Sequence, residues 1–130
     1  MKRIGFSALT VAVVVALVGC SSDPGPAGRV GVAEFAKVID TPGVEIIDVR
    51  TPEEFAESHI KGAVNMPVQD PGFAEQVSRL DRTRTYAVYC RSGNRSKPAV
   101  AAMRDAGIAH IYELDSGTKG WTAEGLPLIR

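Results

Sequence analysis

Thr85-Tyr86-Ala87-Val88-Tyr89-Cys90 runs directly into Arg91-Ser92-Gly93-Asn94-Arg95-Ser96, and the order of chemistries along this stretch decides the fold. The first half is a β-rich apolar run, which reads as a buried strand. The second half is polar and contains a glycine, which reads as a loop. From Ser96 to Ala106 the apolar residues Val100 and Met103 recur at helical spacing, and Gly107 ends the pattern. A strand that feeds a loop and then a helix places Cys90 at the carboxyl end of a parallel strand, where open α/β sheets carry their ligand sites.

The flanking sequence fits the same plan. Val44–Val49 (VEIIDV) is almost continuously apolar, the pattern of a central strand covered on both faces. Ala63–Met66 and Ile111–Leu114 read as further strands, with a short first strand near Val30. Between them, Phe35, Val38 and Ile39 share one face of a helix over 33–39 that Pro42-Gly43 closes. Thr51-Pro52-Glu53-Glu54 offers a cap, a first-turn proline and two acids, and so starts a short helix. Phe73, Val77 and Leu80 mark another. Short strands alternating with helices make the fold class α/β with a parallel sheet.

The chain has 130 residues, room for one globular unit behind an N-terminal segment. With 45% hydrophobic and 23% charged residues it buries a core without disulfide or metal staples. Met1-Lys2-Arg3 is a basic head, Ile4–Val18 an apolar run, and Leu17-Val18-Gly19-Cys20 follows, the outline of a signal peptide over 1–19. Those last four residues resemble the lipobox of bacterial lipoproteins, in which the cysteine is lipidated and becomes the new N-terminus. About fifteen apolar residues fall short of the roughly twenty that span a bilayer. Cys20 to Gly28, dense in Pro, Gly and Ser, reads as a lipidated residue and flexible tether, leaving 29–130 as the folded domain. An extracytoplasmic, membrane-anchored protein is the expectation, and Cys20 is not expected to pair with Cys90. Beyond the basic head, thirteen basic residues face fifteen acidic ones, a net charge of −2, so nothing suggests nucleic acid. Charge is concentrated locally instead: Arg82, Arg84, Arg91, Arg95 and Lys97 lie within sixteen positions around Cys90, as an anionic substrate would use them.

The loop over 91–96 and the N-terminus of the following helix can converge backbone N–H groups on one point, where they favour negative charge. A free thiol is only a few per cent thiolate near pH 7, and lowering its pKa by about two units, roughly 2.7 kcal/mol, makes the anion dominant. Aligned amides with Arg91 and Arg95 are a plausible source, so no separate base is required; His59 and His110 both lie far from Cys90 in sequence. An inert buried cysteine is the alternative, but two Arg, two Ser, Gly and Asn make poor core. Cys90 is thus the candidate nucleophile, with Arg91, Ser92, Gly93, Asn94, Arg95 and Ser96 as candidate substrate-binding residues, and no metal or cofactor is called for.

From Val30 to Leu128 the chain resembles the rhodanese family. Three stretches carry the likeness: Ile47-Asp48-Val49-Arg50 with Glu54-Phe55 and His59 to Pro67; the loop Cys90 to Ser96; and Gly117 with Trp121 and Gly125-Leu126-Pro127. The resemblance implies a five-stranded parallel sheet flanked by helices on both faces. It also implies that the matching cysteine accepts sulfane sulfur as a persulfide and passes it to a thiophile such as cyanide or a thiol. Related phosphatases and arsenate reductases use a loop one residue longer, whereas four residues separate Cys90 from Arg95 here, which favours sulfur. Two-domain thiosulfate-using members commonly carry basic residues where this chain has Ser92 and Glu54, which leaves thiosulfate in question as the donor. Ser116 replaces a frequent glycine, a change expected to be tolerated.

The remaining singled-out residues read as structural. Asp48 and Arg50 hold neighbouring loops through hydrogen bonds and an ion pair, His59 caps or packs, and His110 lies at a strand edge. Trp121 is a core or rim aromatic whose ring can also line the Cys90 pocket. The leading expectation is a monomeric, membrane-tethered sulfurtransferase taking sulfur from a small sulfur-containing anion. A persulfide carrier or sensing module without efficient turnover is the second reading, and an arsenate reductase or phosphatase the third.

Overall fold

The computed structural model describes residues 27–130; the leader over 1–19, Cys20 and all but the end of the tether lie outside the described residues. In chain order the elements are β1 (Arg29–Val30), α1 (Val32–Ile39), β2 (Val44–Asp48), α2 (Pro52–Glu57), β3 (Val64–Asn65), α3 (Phe73–Ser78), β4 (Thr85–Tyr89), α4 (Ser96–Asp105), β5 (His110–Leu114) and α5 (Gly117–Ala123). The strands form one five-stranded sheet in the order β1-β5-β4-β2-β3, and every pairing is parallel.

Strand periodicity explains how both faces are filled. Ile47 and Val49, Tyr86, Val88 and Cys90, and Ile111 point to one face, where Phe73 and Val77 of α3 and Ala99, Val100 and Met103 of α4 cover them. Ile46, Ala87 and Tyr89, Tyr112 and Leu114 point to the other, against Phe35 and Val38 of α1 and Trp121 of α5. A continuous apolar run was therefore the right signature for β2 and β4, each covered on both sides. The helices lie on both faces, as the α/β reading requires.

The ends of elements differ from the sequence expectation for physical reasons. β3 shrinks to Val64–Asn65 because it is the edge strand and pairs only with β2. β5 starts at His110, whose exposed side chain sits at the strand's first position. Cys90 lies just past the end of β4, so it belongs to the loop. At α2 the cap is complete: Glu54 N–H donates to Thr51 Oγ1 (3.3 Å) and Thr51 N–H donates to Glu54 Oε2 (3.0 Å). This reciprocal arrangement satisfies two otherwise unpaired amides.

A buried ion pair fastens the carboxyl edge of the sheet. Asp48 is fully buried and Arg50 nearly so, and the guanidinium donates to both carboxylate oxygens, with Nη2 to Oδ2 at 2.7 Å. The same nitrogen donates to the Ser58 carbonyl at the end of α2 (2.6 Å), and the guanidinium lies over the Tyr89 ring at 5.8 Å. Asn65 Nδ2 bridges the carbonyls of Asp48 and Arg50, tying β3 into the same corner. His59 packs as expected, stacked on Phe55 with ring centroids 3.9 Å apart and Nδ1 2.9 Å from the Phe55 carbonyl.

Removing one member of such a pair strands a buried charge. Asp48→Ala and Arg50→Met are each expected to lower the unfolding free energy by about 3–5 kcal/mol, and the double variant should lose less than the two singles together. Urea unfolding reads this directly, and a single loss below about 1 kcal/mol would mean that the pair does not hold the corner.

Candidate active site

Cys90 follows the last residue of the central strand, and two contacts from α5 fix the backbone there. Thr118 N–H donates to the Cys90 carbonyl (2.9 Å) and Lys119 N–H to the Arg91 carbonyl (3.0 Å). The approach is so close that a Cβ on Gly117, at φ +60°, would lie 2.3–2.5 Å from Arg91 and Cys90 backbone atoms. Gly93 is similarly confined: at φ +86° its Cβ would meet the Asp115 carbonyl oxygen at 2.0 Å. Both positions require glycine for conformation and for space. Serine at 116 sits just before α5 in a right-handed helical conformation that any residue adopts.

The Cys90 side chain is fully buried and free of any disulfide. Gly93 N–H points at Sγ from 3.1 Å. Cys90 S–H donates to Ser96 Oγ at 3.6 Å, and Ser96 in turn donates to Glu113 Oε2 at 2.7 Å. Burial pushes the thiol pKa up, but the hydrogen bonding at the Ser96 side chain and from the amides of Ser96, Ser92 and Gly93 outweighs it and draws the thiol below its ordinary value. Ser96 has one hydroxyl proton, and Glu113 holds it at the shorter distance, so the donors that face the sulfur are the amides.

The loop's charged residues divide in an unexpected way. Arg95 is not free to face a substrate: it forms a two-pronged ion pair with Glu54, Nη1 to Oε2 at 2.6 Å and Nη2 to Oε1 at 2.8 Å. The hydrogen bond from Arg95, working against partial burial and helped by Thr51, brings the Glu54 carboxyl down to about 2. The same bond raises Arg95. Arg91 is exposed and borders an open cleft of about 430 Å³ with Arg50, Glu54, Glu57, Thr118 and Lys119. Ser92 and Asn94 are exposed and bonded to each other, Nδ2 to Oγ at 3.3 Å, so Ser92 offers sulfur its amide and Asn94 turns outward. Trp121 does not border this cleft; it is buried on the α1/α5 face, edge-on to Phe35 at 6.3 Å, with Nε1 donating to the Pro127 carbonyl. Cys20 lies outside the described residues.

Two residues complete the surroundings that sequence reading did not single out. Glu113 is buried on β5, and Arg29 on β1 donates to its Oε2 at 2.5 Å. Arg29 Nη2 also donates to the carbonyls of Gly93 (3.1 Å) and Asp115 (2.9 Å). An acid inside the otherwise apolar strand over 111–114 was the available signal, since a buried carboxylate requires partners.

Comparison with known proteins agrees with this geometry. The rhodanese-like domain family matches residues 31–124. A sulfurtransferase of Allochromatium vinosum is 32% identical over 93 residues, covering 72% of this chain and 85% of that protein. Thiosulfate sulfurtransferase 16, chloroplastic, of Arabidopsis thaliana is 36% identical over 95 residues, covering 65% of this chain and 79% of that one. The crystal structure of a rhodanese-related protein from Thermoplasma volcanium superposes with a TM-score of 0.68 at 30% identity, covering 78% of this chain and 96% of that one. The parallel five-stranded sheet, the glycine-dependent loop around a buried cysteine and these likenesses agree: the chain belongs to the rhodanese-like domain family.

Proposed function

We propose that the protein is a rhodanese-type sulfurtransferase that carries sulfane sulfur on Cys90. The observation that carries this reading is the crown of amides from Ser92, Gly93 and Ser96 around a buried thiol, with Gly93 N–H 3.1 Å from Sγ. Such donors stabilise an anion without needing to move during reaction. In the first step the Cys90 thiolate attacks the outer sulfur of the donor; a new S–S bond forms, the donor's S–S bond breaks, and the remainder of the donor leaves with the bonding electron pair. In the second step cyanide or a thiolate attacks the terminal persulfide sulfur, and the Cys90 thiolate is released. The proton lost by the thiol in forming the thiolate goes to solvent.

The Glu54–Arg95 pair bears on which donor is used. It cancels one of the two arginine charges of the loop, which reduces attraction for a dianion such as thiosulfate more than for a singly charged or neutral persulfide. The short loop, with four residues between Cys90 and Arg95, supports sulfur over phosphate or arsenate. The Leu17-Val18-Gly19-Cys20 motif and the tether after it support lipid attachment at Cys20, with the catalytic domain held close to the membrane on its extracytoplasmic side. Two acyl chains anchor stably where one binds marginally. Among the described residues no helix is long and apolar enough to cross a membrane.

Three measurements test this. Incubation with a polysulfide or thiosulfate should add one sulfur to the Cys90 peptide, and cyanide should then release thiocyanate; Cys90→Ser should abolish both. Persulfide without thiocyanate would leave a carrier, and no persulfide from any sulfane donor would overturn the assignment. Glu54→Gln keeps the helix cap but frees the Arg95 charge, so kcat/KM for thiosulfate should rise by about threefold to tenfold at low salt, equivalent to about 0.7–1.4 kcal/mol. An unchanged or lower value would show that the pair does not govern donor charge. For the anchor, mass spectrometry of the N-terminal peptide should find Cys20 as the first residue carrying acyl chains; an unmodified Cys20 would remove that part.

A further inference from the structure

Ser96 occupies a contested position. Its hydroxyl has one proton and stands between Cys90 Sγ at 3.6 Å and the Glu113 carboxylate at 2.7 Å. As long as Glu113 is ionised, the proton points at the carboxylate and Ser96 presents a lone pair to sulfur. That orientation suits a protonated thiol and opposes a thiolate. The two hydrogen-bond legs also place a carboxylate oxygen within about 6 Å of the sulfur. A buried carboxylate so near would raise the thiol's proton affinity unless another charge balanced it. Arg29 is that charge, 2.5 Å from the same oxygen, and its second nitrogen holds the Gly93 carbonyl, directly beside the N–H that faces Sγ.

We propose, building on the reading of Cys90 as the sulfur carrier, that Arg29 and Glu113 are a positioning pair for it: Glu113 fixes the Ser96 hydroxyl, and Arg29 both cancels the carboxylate and staples Gly93 in register with the sulfur. Neither residue touches the reacting atoms. Each acts through Ser96 or Gly93.

The other charges near Cys90 are arranged differently. On the loop and α4, Arg91 and Lys97 are exposed and Arg95 is bound to Glu54; at the end of β2, Asp48 closes on Arg50, two residues on; after β5, Asp115 is exposed; on α5, Lys119 is exposed. Glu113 alone among the carboxylates described is linked to the sulfur by a single intervening hydroxyl. A charge about 6 Å away in a medium of effective dielectric constant near 20 moves a pKa by up to about two units. The Arg29 side chain is 36% exposed, so water shares in the balance and about one unit is expected.

The two halves of the pair predict opposite signs, which a purely architectural role does not. The experiment uses the full chain with Cys20→Ser, so that Cys90 is the sole thiol, and follows the ultraviolet absorbance of the thiolate and the rate of iodoacetamide alkylation against pH. Cys90→Ser provides the blank. Glu113→Gln keeps the acceptor for Ser96 but removes the negative charge, and should lower the thiol midpoint by about one unit. Arg29→Gln leaves the carboxylate unbalanced and should raise it by about one unit. The double variant should return to within about half a unit of the parent. Arg29→Lys keeps the charge without the fork and should restore the midpoint even where Arg29→Gln folds poorly. Upward shifts in both single variants would mean that the pair only supports the loop and would overturn the proposal, as would two unmoved midpoints. Persulfide formation is measured on the same samples. Opposite shifts without persulfide would uphold the pair and count against sulfur transfer, whereas persulfide with shifts of one sign would count against the pair alone.

Discussion

A sulfur that is to carry negative charge at the buried end of a sheet must receive its stabilisation from groups already in place, because burial leaves little hydration to do it. Cys90 is fully buried, and the donors around it are main-chain amides of the loop that follows. Amides cannot rotate freely toward a target; they point where the backbone directs them. The quality of the site therefore depends on the path of a few residues, and much of the surrounding structure acts on that path. Gly93 and Gly117 give the loop its turn and allow α5 to approach it, while Thr118 and Lys119 hold the carbonyls at its start. Arg29 holds the carbonyl of Gly93 and, with the same nitrogen, that of Asp115.

The remaining support comes through β2. Its last residue, Asp48, closes on Arg50, and Arg50 reaches the Ser58 carbonyl, so the end of α2 is fixed relative to the sheet. The start of α2 is fixed by the cap between Thr51 and Glu54. With both ends held, Glu54 presents both carboxylate oxygens to Arg95, the residue at which the loop becomes α4. A sequence of local constraints thus runs from a buried ion pair to the helix whose N-terminus faces the sulfur. Tyr89 joins the two parts, since Ile60 N–H donates to its hydroxyl and its ring lies under Arg50. Burial first, and then the charge of Asp48, push that phenol far above its ordinary range, so it stays neutral.

What the sequence made legible and what it did not follows from the range of each interaction. β2, β4 and α4 could be read because burial on both faces or on one stripe leaves a local pattern. The loop could be read because polar residues and a glycine follow a strand without interruption. Glu54 was legible as a helix-start acid and as a departure from the basic residue of two-domain relatives, but not as the partner of Arg95, which lies 41 positions away. The Arg29–Glu113 contact spans 84 positions and pairs the first strand with the last, a meeting that only the sheet order creates. Trp121 was placed correctly as core, yet its face was open until β4 and α5 were seen to put it on the side of the sheet away from the thiol. Boundaries moved most at β3, where an edge position leaves pairing on one side and little to extend the strand.

The two arginines of the loop look equivalent in sequence, and the fold separates them. Arg95 is neutralised by Glu54, whereas Arg91 and Lys119 stand exposed at the cleft that Glu54 also borders. Attraction of an anion and stabilisation of the sulfur are then assigned to different groups. Exposed cations act over a distance that salt shortens, about 8 Å at physiological ionic strength. Buried amides act at contact and are screened far less. A site built this way can lose attraction for an anion as salt rises without losing stabilisation of the thiolate itself. Placing the charge at the cleft and the dipoles at the sulfur also leaves the buried end free of unpaired ions, so no compensating acid needs to sit against the thiol. Glu113 would violate that rule if it stood alone, and Arg29 is the residue that keeps it from doing so.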